Sequence, residues 1–156
     1  FDDLITDQFS EVYKLARDGL CDSWAHDVDG ALALILVLDQ FPRNMFRGHP
    51  QSFATDAKAL DIAKQSIDKG FDQIVVPLKR RFFYLPFEHS EDVDDQKTCV
   101  ALFEAMKEDD PLGYDYALRH LRVIEQFGRF PHRNSTLGRT STPAELDYLS
   151  RDGTGF

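Results

Sequence analysis

Eight consecutive apolar residues, 31–38 (ALALILVL), run straight into Asp39-Gln40-Phe41-Pro42-Arg43-Asn44, and this junction constrains the fold most. A helix that is apolar all round has no face to offer water, so it must lie centrally with other elements on most of its sides. It is also far too short to cross a bilayer. The polar phrase closing the run therefore sits beside the core, where a helix has just stopped. A second version of it, Glu125-Gln126-Phe127-Gly128-Arg129-Phe130-Pro131-His132-Arg133-Asn134, closes another apolar segment near the far end of the chain.

Helical periodicity extends to most of the remainder. Leu4, Ile5, Phe9, Val12, Leu15 and Ala16 recur at three- and four-residue steps, with Asp2 and Asp3 in the opening turn and Gly19 as a stop. After a loop around Trp24, Asp27 or Asp29 caps the central helix, which Pro42 is expected to end. A third helix starts at Thr55 or Asp56 and reaches Lys69, with Leu60, Ala63 and Ile67 inward and Gly70 as its stop. Pro77 opens a fourth, and Pro86 predicts a kink or short break before a stretch reaching Met106. Another spans 114–127 and stops at Gly128. Thr142, Pro143 and Glu145 form a capping box that starts the last, reaching Leu149.

Only 73–76 has β character and no hairpin signal accompanies it. The pattern predicts an all-α fold, a compact antiparallel array of six or seven helices in one domain over residues 1–156.

Charge narrows the partners. A formal charge of −9 repels phosphate backbones and anionic lipid, so neither nucleic acid nor a membrane surface is an expected partner. Arginines nevertheless crowd into 119–139, with Arg119, Arg122, Arg129, Arg133 and Arg139 close in sequence to Glu125. Cys21 and Cys99 lack CxxC spacing and read as reduced thiols of a cytosolic protein.

Two regions could carry chemistry. Asp39 and Glu125 each sit at a helix C-terminus, where the dipole disfavours a carboxylate unless a cation meets it. In one reading, the arginines of the two phrases fasten those carboxylates and the orphan carbonyls. In the other, guanidinium groups converge on an exchangeable anion. The second region is 82–92, where Arg81, Tyr84, Glu88, Glu91 and Asp95 make one helical stripe and His89 shares a face with Phe82, Leu85, Val93, Gln96 and Val100. Glu88 or Glu91 as a general base beside His89 is the chemical reading. A hydrogen-bonded core histidine and a solvated acidic face is the structural one.

No metal-ligand motif is present, so neither a metal nor another cofactor is expected. A site built from Glu88, His89, His120 and His132 would need the fold to bring them together. Nucleophile elbows and phosphate-cradling glycine loops are absent too.

Three blocks, residues 34–44 (LILVLDQFPRN), 83–91 (FYLPFEHSE) and 127–134 (FGRFPHRN), resemble in that order the signature blocks of the bacterial domain-of-unknown-function family 924. The resemblance covers essentially the whole chain but lacks the family's aromatic-rich start, so the natural N-terminus is expected upstream of Phe1. It implies a fold similar to the tetratricopeptide-like helical superfamily and carries no established activity. It also makes the blocks the site candidates: Glu88, His89 and Glu91 for catalysis, and Arg43, Asn44, Arg129, His132, Arg133 and Asn134 for ligand binding. Arg80 and Arg81 are left unassigned. The expected function is binding of a small anionic metabolite in an Arg/His/Glu-lined pocket, with acid/base chemistry if the protein is an enzyme. The alternatives are a tetratricopeptide-like module for a protein or peptide partner, or a structural, oligomerising protein.

Overall fold

The computed structural model describes residues 2–151 together with Gly153 and Thr154, and every regular element among them is helical. Phe1, to which the expectation about the natural N-terminus attaches, lies outside the described residues. The helices are α1 (Asp2–Arg17), α2 (Val28–Ile35), α3 (Phe41–Met45), α4 (Asp56–Asp68), α5 (Pro77–Glu88), α6 (Val93–Glu104), α7 (Pro111–Phe127) and α8 (Pro143–Leu149). Short 3-10 turns link several of them; the β-flavoured segment is split, Gln73 and Ile74 closing the turn Phe71–Ile74 and Val75 and Val76 running extended into α5.

The central helix does not end at Pro42. A π-helical turn (Leu36–Gln40) joins α2 to α3 without interruption, so α2 and α3 form one rod and the labelled segments amount to seven helices. Two bonds, one local and one tertiary, explain the tolerance. The Phe41 N–H reaches back five residues to the Leu36 carbonyl. Proline has no N–H for the carbonyl four residues earlier, and that carbonyl, on Leu38, instead accepts from the Thr55 hydroxyl. A tertiary contact thus replaces the bond that proline removes.

The rod is buried as its composition requires. Ala31, Leu32, Leu34, Ile35, Val37 and Leu38 lie in the main core with Tyr13 and Ala16 of α1 and Ala59, Ile62 and Ala63 of α4. Phe83, Tyr84 and Phe87 of α5, Cys99 and Phe103 of α6, and Ala117 of α7 complete it. On α4 the inward face is turned slightly from the expected one: Ala59, Ile62, Ala63 and Ser66 are buried, while Leu60 and Ile67 are partly so. Truncating a fully buried residue such as Leu34 would cost about 2–5 kcal/mol.

Successive helices pack on one another, α4 on α5, α5 on α6 and α6 on α7, with α1 against the rod. Pro86 lies inside α5, and the break falls at 89–92. There Asp92 accepts from the Asp94 and Asp95 N–H groups and starts α6. The continuous stripe from Arg81 to Asp95 is therefore cut. Asp110 likewise accepts from the Gly113 N–H with Pro111 at the first position, so α7 begins three residues before Tyr114. The Thr142–Glu145 capping box is present in full. No helix among the described residues is long and apolar enough to span a membrane.

Candidate functional site

A cavity of about 500 Å³ opens where the end of the central rod meets the C-terminus of α5, the first half of α7 and the segment after Phe130. Arg43 comes from α3, and Arg47, Gly48, Ser52 and Phe53 from the loop that follows. From α5 come Arg81, Glu88 and the capping residue His89. Gly113, Tyr116 and His120 project from α7, and His132, Arg133 and Thr136 close the ring. Gly113 is needed for close packing, because a Cβ there would lie 2.6 Å from the Phe103 ring and 2.5 Å from Asp110 Oδ2.

The end of α5 is held firmly. The buried Gln96 side chain donates to the carbonyls of Phe87, Glu88 and Ser90, taking up groups that the helix leaves open. Gln96 therefore fastens the backbone beneath His89 rather than pairing with the imidazole. The imidazole turns toward the rod, where Nδ1 lies 2.7 Å from Asp39 Oδ1. Asp39 is fully buried and is also met by Gln40 and, at 3.4 Å, by Arg43 Nη1. Arg43 makes a two-pronged pair with Asp56, both bonds 2.9 Å, and donates to the Asp39 carbonyl.

Arg133 completes the cluster. Its guanidinium lies between the rings of Phe53 and Phe130, 4.6 Å from each centroid. Nη2 donates to the His89 carbonyl at 3.0 Å and Nη1 stands 3.8 Å from Asp56. Two arginines and two aspartates thus alternate around His89. Two buried polar atoms on the cavity residues lack a hydrogen-bond partner among the described residues, Glu88 Oε2 and Arg133 Nε.

Burial sets the protonation of the wall. It lifts the Glu88 carboxyl to about 8, with Asp39 and Asp110 adding to the rise and Arg81 opposing it, so Glu88 is mostly protonated at neutral pH. Desolvation brings His120 down to about 3 and His132 to about 4, so both are neutral. His120 Nδ1 donates to the Tyr116 carbonyl at 2.8 Å. His89 is lowered by burial and by Arg43, with Asp39 pulling the other way. Burial works against ionised Asp39, but His89 and Arg43 outweigh it and hold the carboxyl at about 2. Burial also brings Arg133 down to about 10.

Of the sequence candidates, Arg43, Glu88, His89, His132 and Arg133 line this cavity. Four others are held outside it. Asn44 donates to Asp2, which also pairs with Arg47. Glu91 accepts from both outer nitrogens of Arg139 and from the Phe130 N–H. Arg129 forms a two-pronged pair with Glu145. Asn134 bonds Ser141, Glu145 and Arg139. The Asn44 bond ties α3 to α1, those of Arg129 and Asn134 hold the C-terminal segment together, and Glu91 clasps it to the α5–α6 turn. Glu125 is exposed, and the arginines near it in sequence find other acids: Asp115 for Arg119, Asp56 for Arg133 and Glu91 for Arg139. Four of the five arginines along 119–139 are therefore balanced in space by acids other than Glu125.

Glu88, His89, His120 and His132 share the cavity, yet no three His, Cys, Asp or Glu side chains are grouped as metal ligands among the described residues. Sequence reasoning left out Ser52, Phe53, Arg81, Gly113, Tyr116 and Thr136 from the site. The one signal available was the spacing of Tyr116 and His120, one helical turn apart and on the same face as Gly113.

Residues 1–153 match the family described as bacterial protein of unknown function (DUF924). A solved structure of a protein of unknown function from Agrobacterium tumefaciens has a TM-score of 0.92 and 41% sequence identity, covering 96% of this chain and 84% of that one. No curated protein matches the chain.

Proposed function

We propose that this chain, which belongs to the DUF924 family of bacterial proteins of unknown function, binds a small anionic metabolite in the cavity around His89 and Arg133. The observation that carries this reading is the cavity itself, whose wall holds Arg43, Glu88, His89 and Arg133, with Glu88 Oε2 and Arg133 Nε unpartnered among the described residues. A cavity of about 500 Å³ lined by a few convergent charged and polar side chains has the size and character of a small-molecule site. Because Asp39 and Asp56 already balance Arg43 and Arg133, the site favours a single negative charge over a phosphate dianion. The two free, buried cysteines fit a reducing cytosol.

A thermal-shift screen of small carboxylates and phosphates tests the reading. A ligand at 100 times its Kd stabilises the fold by about 2.7 kcal/mol. Arg133→Met, which keeps an apolar stem between Phe53 and Phe130, should lose the shift while remaining folded. A shift unchanged in Arg133→Met would remove the cavity from consideration.

A second reading, a tetratricopeptide-like module for a protein or peptide, draws support from Ile74, Val76 and Leu78. They are 72%, 60% and 72% exposed within five residues of chain. Cross-linking at position 76 that captures one defined partner, and loses it in Val76→Asp, would favour it.

A further inference from the structure

We propose that the cavity is an acid/base active site for carboxylates that carry a carbonyl group, with His89 Nε2 as the base, Asp39 as its positioning residue and the Glu88 carboxyl as the acid. This rests on the reading that the cavity holds a small anion.

The first support is the fixed tautomer of His89. Asp39 Oδ1 is an acceptor 2.7 Å from Nδ1, so the ring proton lies on Nδ1 and the lone pair on Nε2. Nε2 has no hydrogen-bond partner among the described residues, and the side chain is 16% exposed on the cavity wall. Asp39, wholly buried and bonded to Gln40 and Arg43 as well, cannot swing away.

Glu88 is the second. It stands one residue before His89 at the same helix end, and its Oε2 is buried without a partner. A carboxyl kept in its acid form donates a hydrogen bond to a carbonyl oxygen instead of repelling an anion. The charge balance is the third. Arg43 and Arg133 are offset by Asp39 and Asp56, and the Arg133 guanidinium on the cavity wall is the group that receives one carboxylate. Finally, the Ser52 hydroxyl donates to the His49 carbonyl at 2.7 Å, and neither cysteine reaches the cavity. Proton transfer is the chemistry that these groups offer.

The step follows from that placement. The ligand carboxylate meets Arg133 and its carbonyl oxygen meets Glu88. His89 Nε2 removes a proton from the carbon next to the carbonyl. The C–H electron pair becomes the C=C bond, the carbonyl π pair moves to oxygen, and that oxygen takes the Glu88 proton to give an enol. Return of a proton from His89 to carbon, and of the enol proton to Glu88, restores the site. The cycle is redox-neutral and needs no co-reactant.

Pyruvate, 2-oxobutyrate and 4-oxopentanoate, with lactate and inorganic phosphate as anions lacking the carbonyl, separate this inference from the binding reading. Each is tested by thermal shift and, in D2O, by loss of the proton signal next to the carbonyl. The wild-type protein should speed exchange of at least one bound keto acid by about 100-fold or more over buffer. His89→Asn retains a donor for Asp39 but no basic nitrogen, and should keep the thermal shift while losing the exchange. If His89→Asn does not fold, Glu88→Gln serves instead, with exchange slowed about 10-fold and binding retained. Keto acids that bind wild-type protein without exchange overturn the inference and leave the binding reading standing. Exchange that persists undiminished in the folded variant also overturns it. A panel in which no anion shifts the melting temperature sinks both.

Discussion

His89 Nδ1 and Asp39 Oδ1 are 2.7 Å apart although fifty positions separate them in the chain, and this contact joins the central rod to the end of α5. Because Asp39 also meets Arg43, removing it leaves the buried imidazole without its acceptor and takes one of two acids from Arg43, which keeps Asp56. Asp39→Ala should destabilise the fold by about 3–5 kcal/mol, read from urea unfolding. Asp39→Asn, which keeps the shape and one acceptor, should cost less.

Stability should peak near pH 6.5. In the unfolded chain histidine protonates as pH falls through 6.5, whereas folded His120 and His132 stay neutral down to about 3 and 4. The unfolded state then binds more protons, so stability is lost on the acid side. Glu88 works in the opposite direction: unfolded it ionises above 4.5, folded only near 8, so stability falls as pH rises between them. The histidines, lowered His89 included, outweigh Glu88 below 6.5, and Glu88 acts alone above it. Its full cost is on the order of 5 kcal/mol. Melting temperatures across pH 5–9 should show Glu88→Gln stabilising the protein increasingly as pH rises. A gain that stays flat with pH would contradict the buried acid.

Thr55 replaces the hydrogen bond that Pro42 cannot make. Thr55→Val keeps the volume and leaves the Leu38 carbonyl unsatisfied, for a loss of about 1–3 kcal/mol in urea unfolding. Thr55→Ser should recover most of it.

Glu91 separates the fastening from the cavity. Glu91→Gln weakens its pairing with Arg139 and should cost about 1–2 kcal/mol of stability. Ligand-induced thermal shifts should be unchanged in size. A variant that folds normally but no longer responds to anions would place Glu91 in the site.

Much of the fold could be read from residue order because its signals are local. Asp27, Gly70, Gly128 and the Thr142–Glu145 box mark helix ends through bonds or backbone angles within a few residues. Pro42 misled for the opposite reason: its compensation lies on Thr55, and nothing near residue 42 announces it. The site divides along the same line. Arg43, Glu88, His89 and Arg133 stand out as charged groups at helix ends next to apolar runs, so local reasoning finds them. Whether an arginine faces a cavity or an acid depends on partners such as Asp56, Glu91 and Glu145, which lie 13, 48 and 16 residues from the arginines they hold. The echo between the two phrases suggested equal roles for Asp39 and Glu125, but one is wholly buried and the other faces solvent. Spelling is shared while environment is not.

The π-turn at Leu36–Gln40 sets the angular phase of everything after it on the rod. Each residue of an α-helix advances the side-chain direction by about 100°. Winding the same five residues at ordinary pitch, with none deleted, would rotate Arg43 and Asn44 by about that angle relative to Leu34 and Ile35, because the wide turn takes up one extra residue. Arg43 would then leave Asp56 and the cavity, while the apolar half of the rod kept its place. A local irregularity so placed lets one helix serve two unrelated directions, toward the core before the turn and toward the cavity after it.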